Sequence, residues 1–354
     1  MMSFIPISKR HADQVPIMAY TTITNGKTRT QLQDPMASAA LFDVVLTQKE
    51  FEVRPPVLID IGASGEICAD WQSIARHCVC IAFEADDREF SHVVGLESEY
   101  KELHVLNCVV TDHAAPESDF YLTRSPFCSS LLPPNNARLA HWQFWELFEV
   151  DRVTKLKSRG LSSVLNELGV TSADWVKTDS QGTDLRLFQC MGPEVYQRVL
   201  AADFEPGIID AYHGEDKLHQ LMAWMDGQPF WMSHLEIKGT ARISKELMAR
   251  YASRLEDLNL VNTPGWGEVS YMNDMTAPSL QNKRCALLAW VIATIRGQHA
   301  FAIEVLLKSE SLIDAALFSR LISRSEAEMF AKTPPATMRD RVRNKLVRVI
   351  NSVV

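Results

Sequence analysis

The stretch Val57-Leu58-Ile59-Asp60-Ile61-Gly62-Ala63-Ser64-Gly65-Glu66 constrains the fold more than any other part of this chain. Its apolar run reads as a buried strand, its two glycines as a tight turn, and the residues from Glu66 onward as the start of a helix. A second apolar strand, Ile81-Ala82-Phe83, ends on Glu84. A strand, a glycine turn, a helix and a second strand tipped with a carboxylate compose the nucleotide-cofactor half-site of a doubly wound fold.

The alternation continues. Strands are expected at 57–61, 79–83, 104–109, 175–179 and 199–204, with a further pair near 208–212 and 230–236. Helices are expected at 66–77, 86–98, 183–190 and 215–226, and a leading helix from Asp34-Pro35 to about Lys49. This predicts an α/β, doubly wound, mostly parallel seven-stranded sheet with helices on both faces. Residues 1–54 read as an irregular segment, with a turn at Asn25-Gly26, and the leading helix. Residues 55–244 read as the sheet domain and 245–354 as an α-helical C-terminal extension. The extension comprises helices at 245–260, 283–308 and 311–332, a loop at Pro264-Gly265-Trp266-Gly267, and a basic helix at 337–354. That last helix carries an apolar stripe of Val342, Leu346, Val349 and Val353; it reads as docked, attachment to an anionic membrane surface being the alternative. An insert at about 117–172 contains Ser129 and Ser130, expected to close over the cofactor, and an aromatic cluster of Trp142, Phe144, Trp145 and Phe148, of which Trp142, Trp145 and Phe148 are expected to form one face of a packed helix or to line a substrate lid.

Composition narrows the function. The 354 residues carry a net charge of −8 with no dominant basic cluster, which argues against a nucleic-acid partner. Seven scattered cysteines, with no paired CxxC set, argue against a structural zinc site or a disulfide framework and for buried thiols in a reducing compartment. Lys9, Arg10, His11 and Asp13 have no apolar core behind them, so no signal peptide is expected. The longest apolar run, Cys285 to Ile295, is too short to span a bilayer and reads as a buried helix. The expected compartment is the cytoplasm.

The glycine turn also selects among cofactors. In a dinucleotide fingerprint the pyrophosphate rests on the helix N-terminus beside three glycines. Here Gly62 and Gly65 fall on the second and third glycine positions, Asp60 takes the first, and Glu66 comes directly after the last. Two carboxylates repel a pyrophosphate and suit a cofactor that presents a cation. S-adenosylmethionine carries an ammonium and a sulfonium. Asp60 is expected to accept from the ammonium, Gly62, Ala63 and Gly65 to let the backbone approach, Glu84 with Ala85 beside it to take the ribose hydroxyls, and Asp112, after the third strand, to accept from the adenine amino group. A capping role for Asp60 is the plainer reading.

Four pieces carry a family resemblance: Leu58-Ile59-Asp60-Ile61-Gly62-Ala63, Phe83-Glu84-Ala85-Asp86, the Ser129-Ser130-Leu131 region, and Asp174-Trp175-Val176-Lys177-Thr178-Asp179-Ser180-Gln181-Gly182. Over about 55–240 the chain resembles the FkbM-type methyltransferases, a branch of the class I S-adenosylmethionine-dependent enzymes with a Rossmann-like fold. Ala85 stands where that family usually has proline, and Asp184 where it often has glutamate. The resemblance implies methyl transfer to a hydroxyl of a sugar, polyketide or other small molecule.

For that chemistry Asp179 is the candidate general base or acceptor-orienting carboxylate, and Gln181 a polar positioning group; helix capping is the plain alternative for Asp179. Asp179, Asp203 and Glu205 are weak candidates for a divalent-metal site, which is not favoured. Tyr212, His213 and His234 are secondary candidates for the acceptor pocket. The helices beyond 245 are expected to form either a wall of that pocket or a homodimer interface. Two other readings compete: a nicotinamide-dependent oxidoreductase, which Asp60 disfavours, and a non-catalytic scaffold, which the set Asp60, Gly62, Glu84, Asp179 and Gln181 disfavours.

Overall fold

The first two apolar runs pair in parallel, from Val57 opposite Val79 to Ile61 opposite Phe83. In the computed structural model the described residues are 35–330 apart from 63–66, 87, 89–95 and 114. The expectations for 1–34, for Ala63, Gly65 and Glu66, for most of the helix 86–98 and for the basic tail lie outside the described residues.

Seven strands form the main sheet, in the order β3-β2-β1-β7-β8-β10-β9. They are β1 (Val57–Ile61), β2 (Val79–Phe83), β3 (Glu102–Leu106), β7 (Trp175–Thr178), β8 (Ala201–Phe204), β9 (Phe230–Ala241) and β10 (Asn262–Asn273). All run parallel except β10, which is antiparallel to both neighbours. A second sheet, in the order β4-β6-β5, joins β4 (Val109–Thr111), β5 (Glu117–Thr123) and β6 (Val150–Gly160).

Both faces of the main sheet are covered, which is why its strands are apolar on both sides. On one face Leu58, Cys80, Trp175 and Ala201 pack with Phe42 and Val45 of the helix Pro35–Leu46 and with the helices Lys283–Ile295, His299–Lys308 and Ala315–Phe330. On the other, Ile59, Ile81, Val176 and Ala202 pack with Leu161–Glu167, Asp184–Gln189 and Leu218–Met225. The run 285–295 is indeed a buried helix: every residue from Arg284 to Thr294 is buried. No helix among the described residues is long and apolar enough to cross a membrane.

Several expectations need correction. The segment 208–212 is not a strand: Ile208 N and Ile209 N both donate to Gly265 O, and Tyr212 makes only an isolated bridge with Pro134. The last two sheet positions go to β9 and β10, so the sheet runs to residue 273 and a boundary at 244 would cut it between paired strands. The turn-like residues Pro264 to Gly267 lie inside β10, where the register shifts between Pro264 and Trp266; such an irregularity tolerates a proline that an ordinary ladder would not. The helical part beyond the sheet starts at Lys283, and it breaks at Gly297, whose positive φ of 68° closes the first helix. The third strand stops at Leu106, and Val109–Thr111 turns into the second sheet. Strand β6 escapes notice in the sequence because most of its residues face solvent, Val150 and Val153 included, so it lacks the apolar alternation of a half-buried strand; β5 buries only Phe120, Leu122 and Thr123. In the helix expected over 66–77, the described part holds two short 3-10 turns, Ala69–Trp71 and Ala75–His77, with Cys68 N taken by the Asp60 carboxylate at 2.8 Å.

Candidate active site

The strand ladder continues one step past the carboxyl ends of β1, β2 and β7. Gly62 N donates to Phe83 O (3.1 Å), Glu84 N to Leu106 O (3.1 Å) and Asp179 N to Ile61 O (2.8 Å). These three bonds bring Gly62, Glu84 and Asp179 to one edge of the sheet, where ligands of doubly wound folds bind. They border a cleft, with Phe83, Val110, Leu131 and Gln181 among its other walls. Gly62 has a φ of +82°, and a Cβ there would stand 2.1 Å from Asp179 O, so the first turn and the end of β7 can meet only through glycine.

Glu84 is buried at the cleft wall, and its Oε1 accepts from Asp86 N at 2.7 Å. Asp86 forks with Arg88, whose guanidinium also donates to Thr123 O (3.1 Å) and Ser129 Oγ (3.0 Å). The insert is thereby tied, through Asp86, to Glu84. Ala85 lines the cleft beside Glu84. Asp112 does not; it lines an adjoining pocket with Arg186 and Tyr121, which shares Val110, Leu131 and Thr183 with the cleft as lining residues, and it pairs with His113 Nδ1 at 2.7 Å.

Asp60 lies elsewhere than expected. It is fully buried, it does not line the cleft, and the cation it meets is the chain's own: Lys177 Nζ is 3.5 Å from Asp60 Oδ1 and 3.9 Å from Asp179 Oδ2. The register explains this, since Asp60 stands opposite Lys177 and Lys177 opposite Asp203 across three parallel strands. Burial works to lower the Lys177 pKa, but the carboxylates of Asp60 and Asp179 outweigh it and raise it above the ordinary value. A charged lysine thus sits between two acids at the edge of the site.

The three carboxylates weighed as a metal set do not assemble. Asp203 turns away to accept from Trp175 Nε1 (2.7 Å) and Ser270 Oγ (2.6 Å) and to pair with Arg296, whose other terminal nitrogen meets Asp70 at 3.1 Å. Among the described residues no cluster of three or more His, Cys, Asp or Glu could hold a metal ion. Glu205 does face Asp179. Burial first, and then the charge of Asp179 and a hydrogen bond to it, push the Glu205 carboxyl well above its ordinary pKa.

Gln181 donates from Nε2 to Asp179 Oδ1 at 2.6 Å, so the two residues read as catalytic in the sequence do meet. Asp184, at the start of the next helix, accepts from Ser180 N (2.8 Å) and Glu205 N (2.9 Å) and joins the ends of β7 and β8. Its burial, opposed by the Ser180 hydrogen bonds, raises its pKa to about 6. Tyr212 is buried against Gln181, His213 is exposed, and His234 is part-buried in β9. The insert aromatics form no continuous helix. Phe144 and Phe148 pack on Tyr212 and Trp266 in a closed cluster, between the short helical turns Asn136–Leu139 and Trp145–Phe148. The placement of Lys177 and Glu205 against Asp179 was not expected from the sequence; the signal for Lys177 was a lone charge inside an apolar strand opposite another.

No family model and no curated protein matches the chain. Solved structures do. One is the precorrin-6y C5,15-methyltransferase of Geobacter metallireducens, 8% identical with a TM-score of 0.31, over 70% of this chain and 93% of that one. Another is the geranyl diphosphate C-methyltransferase of Streptomyces coelicolor, solved with Mg2+, geranyl diphosphate and S-adenosyl-L-homocysteine; it is 8% identical with a TM-score of 0.28, over 70% of this chain and 89% of that one. At these scores the likenesses carry no argument about chemistry, which rests on this chain's own side chains.

Proposed function

We propose that this chain is an S-adenosylmethionine-dependent methyltransferase of the FkbM type, transferring a methyl group to a hydroxyl of a small molecule or saccharide. The observation that carries the reading is one cleft bounded by Glu84 on one side and by Asp179 and Gln181 on the other, with the Gly62 turn between them. Glu84 supplies the carboxylate that ribose hydroxyls require. Phe83, Val110 and Leu131 give the apolar walls an adenine requires, with Asp112 beyond them in the adjoining pocket. The donor set therefore fits S-adenosylmethionine, though not through Asp60, whose carboxylate is occupied by Cys68 N and Lys177.

The bound cofactor would supply an electrophilic methyl on a sulfonium. The rest falls to the protein: positioning the acceptor oxygen in line and taking up its proton. Asp179 is the proposed acceptor of that proton. Lys177 Nζ stands 3.9 Å from one of its oxygens, Gln181 donates to the other, and Glu205, whose carboxyl pKa burial pushes up, lies beside it. No metal ion enters this scheme.

Thermal unfolding with S-adenosylhomocysteine or NAD+ tests the choice of cofactor. A ligand at about 100 times its Kd stabilises by about 2.7 kcal/mol, a rise in Tm of about 5 °C for a chain of this size. The methyltransferase reading expects that rise with S-adenosylhomocysteine and none with NAD+. The reverse pattern would establish the oxidoreductase reading instead.

A further inference from the structure

Gln181 has a φ of 56°, one of two non-glycine residues with positive φ among those described. The left-handed region costs an ordinary residue about 1–2 kcal/mol, so such a conformation persists only where the surroundings impose it. Here two separate segments hold it. Ser130 Oγ donates to Gln181 O at 2.7 Å. Ser130 is itself fixed, since its backbone pairs with Tyr121 of β5 through bonds of 2.8 and 3.2 Å. Tyr212 brings its hydroxyl within 2.8 Å of Cys128 O and 3.1 Å of Gln181 Oε1, and the single hydroxyl proton is shared by these two acceptors. Tyr212 is anchored in turn: Asn135 N donates to Ala211 O (2.8 Å) and His213 N to Pro133 O (3.0 Å).

The consequence lies at the far end of the amide. A side-chain amide can turn over, exchanging its oxygen and nitrogen. With Oε1 held at the Tyr212 hydroxyl, Nε2 must face Asp179, where it donates at 2.6 Å. Turned over, Oε1 would stand against the Asp179 carboxylate, acceptor against acceptor.

We propose that Ser130 and Tyr212 are positioning residues of the transfer site, which hold Gln181 in its left-handed conformation with its amide N–H fixed on one oxygen of Asp179. This rests on the methyl-transfer reading of the same site. It also gives the insert a task other than covering the cofactor: its Ser130 sets the geometry of the loop after β7.

The test reads the amide directly. In protein labelled with [15N]glutamine, the Gln181 side-chain signal is assigned by its loss in Gln181→Leu, and its proton exchange is measured with S-adenosylhomocysteine calorimetry alongside. Tyr212→Phe and Ser130→Ala are each expected to speed exchange of the Gln181 amide by about tenfold or more while changing S-adenosylhomocysteine affinity by less than about twofold. The other glutamine signals, unchanged, report an intact fold; if one variant fails to fold, the other decides. Wild-type exchange in a folded variant would overturn the proposal. Failure of the unaltered protein to bind S-adenosylhomocysteine would instead overturn the cofactor reading, leaving the amide result to stand or fall by itself.

Discussion

Gly62→Ala is expected to destabilise the protein by about 3 kcal/mol or more, well above the 1–2 kcal/mol that a left-handed alanine costs by itself. The new Cβ would stand 2.1 Å from Asp179 O and 2.9 Å from Asp179 C, both backbone atoms, so no side chain can move aside. Relief requires prising the end of β1 from the end of β7, breaking the 2.8 Å bond from Asp179 N to Ile61 O. Gly169→Ala is the control. Gly169 also has a positive φ, 66°, but a Cβ there meets nothing within 4 Å. Urea unfolding of the two variants separates strain from collision: Gly169→Ala should lose about 1–2 kcal/mol and Gly62→Ala clearly more. Equal losses would mean that the contact between the turn and β7 is not tight.

Arg284→Met should cost about 3–5 kcal/mol, because it leaves the Asp174 carboxylate buried without its cation. The pair is bidentate, 2.8 and 2.7 Å, and both side chains are almost wholly buried. Asp174 also accepts from Val57 N at 2.9 Å, and Arg284 donates to Arg54 O and Pro55 O. The helix Lys283–Ile295 is thus bolted to the starts of β1 and β7. The double variant Asp174→Asn/Arg284→Met should recover part of the loss, since the unpaired charge is gone, and urea unfolding of the three variants gives the coupling. A single-variant loss below about 1 kcal/mol would contradict this picture. Its bearing on function is that the first acid of the run Asp174–Gly182 serves the fold, whereas Asp179 and Gln181 serve the cleft.

The edge of the cleft was legible in the sequence because its signals are local. Glycine after an apolar strand, and an acid after the next, are read within a few residues, and the structure puts Gly62 and Glu84 on one cleft. The partner of Asp60 was not legible in that way. Lys177 lies 117 positions away, and only the parallel register sets the two side by side. With that register, Asp60, Lys177 and Asp203 form a row across three strands, which explains why Asp60 faces the chain's own lysine; Asp203, at the end of the row, pairs with Arg296. Strand β10 was hidden by Pro264 and Gly265, whose turn chemistry was outweighed by pairing on both sides. The clamp on Gln181 was hidden for the same reason as Lys177: Ser130 and Tyr212 reach it from 51 and 31 positions away.

If the cleft between Glu84 and Asp179 takes S-adenosylmethionine, it should also hold the product of the transfer, S-adenosylhomocysteine. Calorimetric titration of S-adenosylhomocysteine into the unaltered protein and into Glu84→Ala tests it most directly. A carboxylate that accepts hydroxyl hydrogen bonds contributes about 1.5–3 kcal/mol, so binding should be measurable in the first and about 10- to 100-fold weaker in the second. No binding to the unaltered protein, or equal affinity in Glu84→Ala, would contradict it.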